Sequence, residues 1–190
     1  MSLLQLAGGS VHFGMQRSTD AARLTHQADD GRARMVDVGD KAESQRVAVA
    51  EGVLRMAQST FDALRDGRTR KGDPLVVAQI AGIQAAKRTA DLIPLCHPLS
   101  LTQVDVEVEM DPSLPGVRAS ATTRVRGTTG VEMEALTAVS VALLTAYDML
   151  KAIDRGMSIE GVRVIRKEGG RSGSWESGSR GPSEQENAVE

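Results

Sequence analysis

The sequence has very few aromatic residues and only one cysteine, and both shortages exclude classes of protein. Aromatic residues make up 2% of the 190 residues, so the core must be built from aliphatic side chains and methionine. The same shortage argues against a protein that reads nucleic acid by stacking bases on aromatic rings. With Cys96 alone, an intrachain disulfide and a cysteine-rich zinc site are impossible, which suits a reducing cytoplasm.

The chain also lacks an excess of charge and a long apolar run. Its formal net charge is -2, so no global field would draw it to DNA, RNA or an anionic membrane. No uninterrupted apolar stretch reaches the length that spans a bilayer, and the first residues do not resemble a secretory signal. We therefore expect a cytoplasmic protein with no nucleic-acid partner and no membrane partner.

What is present is an ordinary globular composition, with 41% hydrophobic and 25% charged residues. Residues 1–33 show no sustained period and predict a flexible arm, part of which a vector could have supplied. Residues 34–170 predict a single α+β domain. Residues 171–190 are rich in Gly, Ser and Glu and predict a disordered tail.

Hydrophobic periodicity predicts four strands and three helices in the central domain. The strands are expected at 46–54, 104–110, 117–126 and 162–167, and the helices at 59–66, 74–92 and 131–153. Asp73 and Pro74 form a typical helix start, and Gly82 indicates close packing of the second helix. This order predicts a ferredoxin-like antiparallel sheet with helices packed on one face and one extra helix.

The helix at 131–153 is apolar nearly all round, which predicts burial, in part against another subunit. Glu132 and Glu134 lie in its first turn, where acids also occur simply because they suit the helix dipole. Asp148 and Lys151 are three residues apart on one face, a spacing usually seen in solvated surface pairs. Among apolar neighbours we expect a partly buried pair with shifted pKa values, able to act as acid and base.

The spacing of two of these acids constrains a shared site. Glu134 and Asp148 should lie about 40° apart around the helix axis and roughly 21 Å apart along it. A small ligand cannot easily touch both from one straight helix. A site that uses both residues should therefore combine chains.

A proline-bracketed segment and several cations complete the candidates. Pro94 and Pro98 stiffen the backbone on either side of Cys96 and His97. Alone, such a histidine is more often structural than catalytic, and an adjacent Cys-His pair does not complete a metal site, so we expect no metal. The cations suited to an anion include Lys71, which precedes a helix, and Lys167, which opens a glycine-rich segment. No Walker or Rossmann glycine fingerprint is present.

Seven motifs, in the same order over about residues 24–173, closely resemble the MoaC family, the cyclic pyranopterin monophosphate synthases of molybdenum cofactor biosynthesis. The His-Pro and Gly-Val-Glu-Met-Glu segments are highly specific. The motifs are Met35-Val-Asp-Val38, Lys71-Gly-Asp73, Ile80-Ala-Gly-Ile-Gln-Ala-Ala-Lys-Arg-Thr89, Leu92-Ile-Pro-Leu-Cys-His-Pro-Leu99, Thr129-Gly-Val-Glu-Met-Glu-Ala-Leu-Thr137, Tyr147-Asp-Met149 and Gly169-Gly-Arg-Ser-Gly173. One departure is conservative, because Arg171 stands where many relatives have lysine.

The resemblance implies an activity and an assembly. The substrate would be (8S)-3′,8-cyclo-7,8-dihydroguanosine 5′-triphosphate, rearranged to cyclic pyranopterin monophosphate with release of pyrophosphate. The fold would be ferredoxin-like. The assembly would be a homohexamer, a trimer of dimers, with active sites at subunit interfaces.

The resemblance also implies roles for particular residues. Asp148 would be the catalytic aspartate and Lys151 its acid/base partner. The substrate-binding residues would be Leu95, Cys96, His97, Glu132, Met133, Glu134, Lys71 and Lys167. No cofactor is implied, although Mg²⁺ could accompany the triphosphate.

Two other classes of function remain open at this point. One is a non-catalytic ligand-binding or regulatory module on the same scaffold, since a fold alone does not fix a function. An RNA-binding module is a weaker alternative. Its sheet should offer aromatic side chains and positive charge, yet the strand at 104–110 carries Asp105, Glu107 and Glu109.

Overall fold

The structure, a computed structural model, describes residues 31–68, 72–170 and 173–177. The chain divides into two compact units, residues 1–34 and 35–190, and all helices and strands given below belong to the second. These elements are β1 (Ser44–Arg55), α1 (Gln58–Arg65), α2 (Pro74–Ala86), α3 (Thr89–Leu92), β2 (Gln103–Asp111), β3 (Gly116–Gly127), α4 (Glu132–Leu150), β4 (Ser158–Glu168) and β5 (Trp175–Glu176).

β1 is the central strand of the sheet. The strand order is β2-β3-β1-β4-β5, and every neighbouring pair is antiparallel. The first four strands follow the ferredoxin-like order, with β1 between β3 and β4. The predicted α+β, ferredoxin-like fold is therefore confirmed, with α1 as the expected extra helix and α3 as a further short one.

The helix layer covers one face of the sheet because the strands present small or branched apolar residues there. Ala48, Ala50 and Leu54 of β1 are fully buried beneath α4 and belong to the same hydrophobic cluster as Ala138 and Leu143. Gly52 lies in the same row, where an added Cβ would stand 3.0 Å from a Leu143 methyl group. The small residues let α4 lie close against the sheet.

The start of α2 forms as its sequence predicts. The Asp73 carboxylate accepts hydrogen bonds from the backbone N–H groups of Leu75 (2.9 Å) and Val76 (3.3 Å), and Pro74 occupies the first helical position. The prediction of close packing at Gly82 is also confirmed. A Cβ there would lie 2.9 Å from the carbonyl oxygen of Ala138, so glycine sets the spacing between α2 and α4.

Two helix ends differ from expectation. The single helix expected over 74–92 is divided into α2 and α3, and the Thr89 hydroxyl donates to the Ala86 carbonyl (3.0 Å) where the first part ends. α4 ends at Leu150, and residues 151–153 form a turn. Each boundary depends on hydrogen bonds that hydrophobic periodicity does not record.

α4 is apolar and long enough to cross a membrane by length and composition alone, but half of its apolar window is buried inside the protein. Helices at the core of water-soluble proteins meet the same criterion. Its burial is not uniform around the axis, because Leu143 and Leu150 are fully buried whereas Leu144 and Met133 are exposed. α2 likewise exposes Val76 and Ile80.

The two-residue strand β5 extends the sheet beyond β4. Lys167 pairs with Trp175, and the N–H of Ser177 donates to the carbonyl of Ile165 (2.7 Å). Trp175 and Ser177 fall within the segment 171–190, for which the sequence predicts a disordered tail.

Candidate active site

A cavity of about 980 Å³ opens where the start of β1, the end of β4 and the first turn of α4 meet. Two of the predicted site residues, Glu132 and Lys167, line it together with Arg46. The remaining lining residues are Asp37, Asp40, Lys41, Ala42, Glu43, Ser44, Val47, Thr128, Thr129, Gly130, Glu168, Gly169 and Gly170. Three segments far apart in the chain thus form one concave surface.

Glu132 and Lys167 face each other across this cavity. The Nζ atom of Lys167 lies 3.5 Å from Oε1 of Glu132, and each side chain is about one-third exposed. Gly130 makes room for the arrangement, because a Cβ at that position would collide with the Glu132 carboxylate. The segment between β3 and α4 therefore leaves the first acid of α4 free to reach toward the lysine.

Glu134, two residues after Glu132 in the first turn of α4, is a buried carboxyl group. Its residue is only 4% exposed, and burial raises its pKa, with a smaller contribution from the charge of Glu132. Its own backbone N–H partly offsets this effect by hydrogen bonding. A raised pKa in a buried carboxyl group is a property often found in catalytic acids and bases.

The Cys96–His97 segment lies beside this acid. Burial raises the pKa of the Cys96 thiol, and the negative charge of Glu134 raises it further. Nε2 of His97 lies 2.8 Å from the carbonyl oxygen of Val36, a contact that holds the imidazole between two segments. Leu95 is half-buried and Met133 is exposed at the start of α4. Five of the predicted residues thus gather around one end of α4, next to the cavity residues Glu132 and Lys167.

Asp148 and Lys151 occupy the other end of α4. They form an ion pair with Nζ and Oδ1 2.6 Å apart, and hydrogen bonding to Asp148 raises the pKa of Lys151. The expectation of a partly buried pair is wrong for the single chain, because the side chains are 58% and 52% exposed. The buried side of this helical turn is taken by Ala146 and Leu150, so the pair points away from the core.

Lys71 lies outside the described residues. Arg46, in contrast, is a cavity residue that sequence reasoning missed. One of its terminal nitrogens donates to the carbonyl of Thr128 (3.3 Å), and among the described residues its buried Nε has no hydrogen-bond partner. The alternation of β1 does not distinguish Arg46 from its neighbours. The one signal in the sequence is an arginine at the start of a mostly apolar strand.

The charges around the cavity are mixed. Five carboxylates and three cations are found among its described lining residues. In the part of the chain that the structure describes, no three His, Cys, Asp or Glu side chains come together as metal ligands would. An anion bound here would depend on Arg46, Lys167 and backbone N–H groups of the glycine-rich segment, where Gly169 and Gly170 adopt φ values of 90° and 80°.

Comparison with known proteins agrees with the motifs. Residues 35–170 match the model of the MoaC family. A cyclic pyranopterin monophosphate synthase from Methylobacterium sp. (strain 4-46) is 61% identical over 154 residues, which cover 81% of this chain and 96% of that protein. The match spans every element from β1 to β4, including both ends of α4. The chain therefore belongs to the MoaC family.

Proposed function

We propose that this protein is a cyclic pyranopterin monophosphate synthase, a lyase that converts (8S)-3′,8-cyclo-7,8-dihydroguanosine 5′-triphosphate to cyclic pyranopterin monophosphate and pyrophosphate. The observation that carries the proposal is the 61% identity to an enzyme of that name over nearly its whole length. We further propose that the protein works in the cytoplasm, needs no cofactor of its own and takes a nucleotide-derived small molecule as its partner.

The reaction has two parts, and each needs residue types that the chain carries. Rearranging the purine requires addition of water and movement of protons, which a carboxylate and an amine can perform together. We assign this work to Asp148 and Lys151. Their hydrogen bond favours the charged form of Lys151, so Asp148 holds a proton on Nζ until the substrate takes it.

The second part closes the cyclic phosphate. A ribose-derived hydroxyl attacks the α-phosphorus, the bond to the bridging oxygen breaks, and pyrophosphate leaves with the electron pair. Cations must stabilise the charge that grows on the leaving group. We assign this role to Lys167 and Lys71, with Arg46 as a further candidate because its guanidinium lines the cavity. Leu95, Cys96, His97, Glu132, Met133 and Glu134 would hold the purine portion of the substrate.

The assembly we propose is a homohexamer, a trimer of dimers with interfacial sites. Two features of the single chain support it. Asp148 lies roughly 21 Å along α4 from Glu134, farther than one small ligand reaches on a straight helix. The exposed Asp148–Lys151 pair would become desolvated only if a second subunit covered it.

Turnover of the cyclised triphosphate tests the proposal, with pyrophosphate and cyclic pyranopterin monophosphate measured together. Wild type should release both, and Asp148→Asn should release neither while it still folds. Asp105→Asn, an exposed acid on the opposite face of the sheet, is the matched control and should keep full activity. Full turnover by Asp148→Asn would remove that residue from catalysis, and no turnover by wild type would reject the proposal.

Mixing two inactive variants tests whether sites combine chains. Asp148→Asn and Glu134→Gln should each be inactive alone. Random co-assembly should restore about a quarter of the sites, since one site in four then receives both wild-type residues from different subunits. No recovery, with co-assembly verified by mass spectrometry, would argue that each site lies within one chain.

A second candidate is a ligand-binding module without catalysis. The exposure of the Asp148–Lys151 pair favours it, because an exposed ion pair is common on surfaces without any catalytic role. Tight binding of the triphosphate with no pyrophosphate released from any preparation would support this module over the synthase.

A further inference from the structure

The turn that follows α4 carries an acid with an unusual set of partners. Asp154 lies between α4 and β4, and its backbone N–H donates to the carbonyl of Leu150 (3.2 Å), the last residue of α4. Lys151 stands within the same turn, and its N–H donates to the carbonyl of Tyr147 (2.8 Å). The backbone of Asp154 is thus part of the structure that sets where Lys151 lies.

The Asp154 carboxylate reaches a helix 97 residues earlier in the chain. Oδ2 accepts from the backbone N–H of Ala57 (2.9 Å) and from the hydroxyl of Thr60 (3.3 Å), and Oδ1 accepts from the N–H of Gly156 (2.8 Å). Ala57 is the N-cap of α1, and its methyl side chain offers no acceptor. The cap that α1 lacks in its own sequence comes from the α4–β4 turn.

A second contact holds the same turn from the helix side. The hydroxyl of Tyr147 donates to the carbonyl of Arg155 (3.1 Å), and Tyr147 directly precedes Asp148 in α4. The turn is therefore fixed at Asp154 by α1 and at Arg155 by α4. Thr60, which contributes to the first anchor, is only 1% exposed, so that anchor rests on a buried point of α1.

We propose that Asp154 is a positioning residue for the Asp148–Lys151 pair: its carboxylate ties the last turn of α4 to the start of α1 and fixes the direction in which Lys151 presents its ammonium group. The inference rests on the acid/base role assigned to that pair under the proposed function. A serine or aspartate at position 57 would cap α1 equally well by itself. A cap at position 57 would leave the end of α4 unrestrained, whereas the Asp154 carboxylate both caps α1 and restrains the end of α4.

This distinction allows stability and positioning to be separated. Asp154→Ala removes both the cap and the tie, whereas Asp154→Ala combined with Ala57→Ser gives α1 a cap of its own without restoring the tie. Asp154→Ala should lower Tm and should lower kcat by about tenfold or more, since small misplacements of catalytic groups have effects of this size. KM should change much less, because Asp154 is not among the described residues that line the cavity.

The combined variant decides between the two roles. We expect its Tm to return toward the wild-type value while kcat stays low. We also expect the pKa of Lys151, followed by NMR of the ammonium group, to fall toward its ordinary value, because the ion pair between Lys151 and Asp148 would loosen without the tie. Ala57→Ser alone is the control and should leave kcat unchanged. Recovery of kcat together with Tm would overturn the inference, as would an unchanged kcat in Asp154→Ala.

The variant Lys151→Ala distinguishes failure of the positioning inference from failure of the proposed function. If Lys151→Ala retains turnover, the acid/base assignment fails, and the Lys151 titration in the combined variant still tests the tie. If Lys151→Ala is inactive but the Asp154 variants show normal kcat and a normal Lys151 titration, only the positioning inference fails. Should Asp154→Ala fail to fold, Asp154→Asn weakens the same carboxylate contacts more mildly, with the same expected loss of kcat and the same overturning result.

Discussion

The carboxylate of Glu134 acts on the thiol of Cys96, and its negative charge adds to the effect of burial in raising the thiol pKa. The two residues come from segments that the resemblance assigns to the substrate site. Within one chain these segments therefore lie close enough for the charge of one to influence the other. Because Cys96 is the only cysteine in the sequence, its reactivity reports directly on that coupling.

Glu134→Gln should make Cys96 react faster with iodoacetamide. Removing the negative charge lowers the thiol pKa, so more thiolate is present at pH 8 and alkylation accelerates. The pH at which the rate reaches half its maximum should move downward. Glu109→Gln, an exposed acid on β2, is the control and should react like wild type. Equal rates for Glu134→Gln and wild type would contradict the coupling.

Lys167→Met should weaken binding of pyrophosphate, measured by calorimetry. Lys167 faces Glu132 in the cavity, and loss of a charge-assisted contact to an anion should reduce affinity by about tenfold or more. Lys87→Met removes an exposed lysine outside the cavity and serves as control. If both variants bind pyrophosphate equally, Lys167 does not hold the leaving group.

Lys71→Ala should chiefly weaken binding of the triphosphate substrate. The residue precedes the Asp73 cap of α2, and a lysine at a helix start suits phosphate. The expected result is a higher KM with a smaller change in kcat. Unchanged affinity would remove Lys71 from the site.

Asp154→Ala should destabilise the protein in a pH-dependent way. Hydrogen bonds from Ala57, Gly156 and Thr60 hold the pKa of the Asp154 carboxyl below its usual value. Their contribution is therefore fully present above the unfolded-state pKa of about 4 and is lost as the pH falls through the lower folded-state pKa. Urea unfolding should show a difference of about 1 kcal/mol at pH 7 that shrinks toward pH 3. A difference that is constant across this range would contradict the assignment.

Gly82→Ala should destabilise the fold by about 1–3 kcal/mol, measured by urea unfolding. The new methyl group would stand 2.9 Å from the carbonyl oxygen of Ala138, and backbone at that point cannot swing aside as a side chain can. Gln84→Ala, at an exposed position of the same helix, is the control and should change stability little. No loss of stability in Gly82→Ala would show that α2 and α4 can separate freely.

Local signals in the sequence predict the first four strands and the three longer helices in their correct order, because alternation and helix caps act over short distances, but they predict neither α3 nor β5. Asp73 and Pro74 at the start of α2 illustrate this, since each acts on residues next to it in the chain. The burial of Asp148 was predicted wrongly because exposure depends on which distant elements cover a helix face. Arg46 and Asp154 were missed for the same reason: the partners that make them informative, Thr128 and Ala57, lie 82 and 97 residues away.

The central position of β1 has a consequence for the order of folding. β1 leaves the ribosome first among the strands, yet both of its neighbours come much later in the chain. Closing such long loops before the contacts are gained slows folding. A nascent chain that ends before β4 has no Lys167 and no glycine-rich segment, so it cannot form the cavity. The cavity is therefore among the last parts of the domain to form during synthesis.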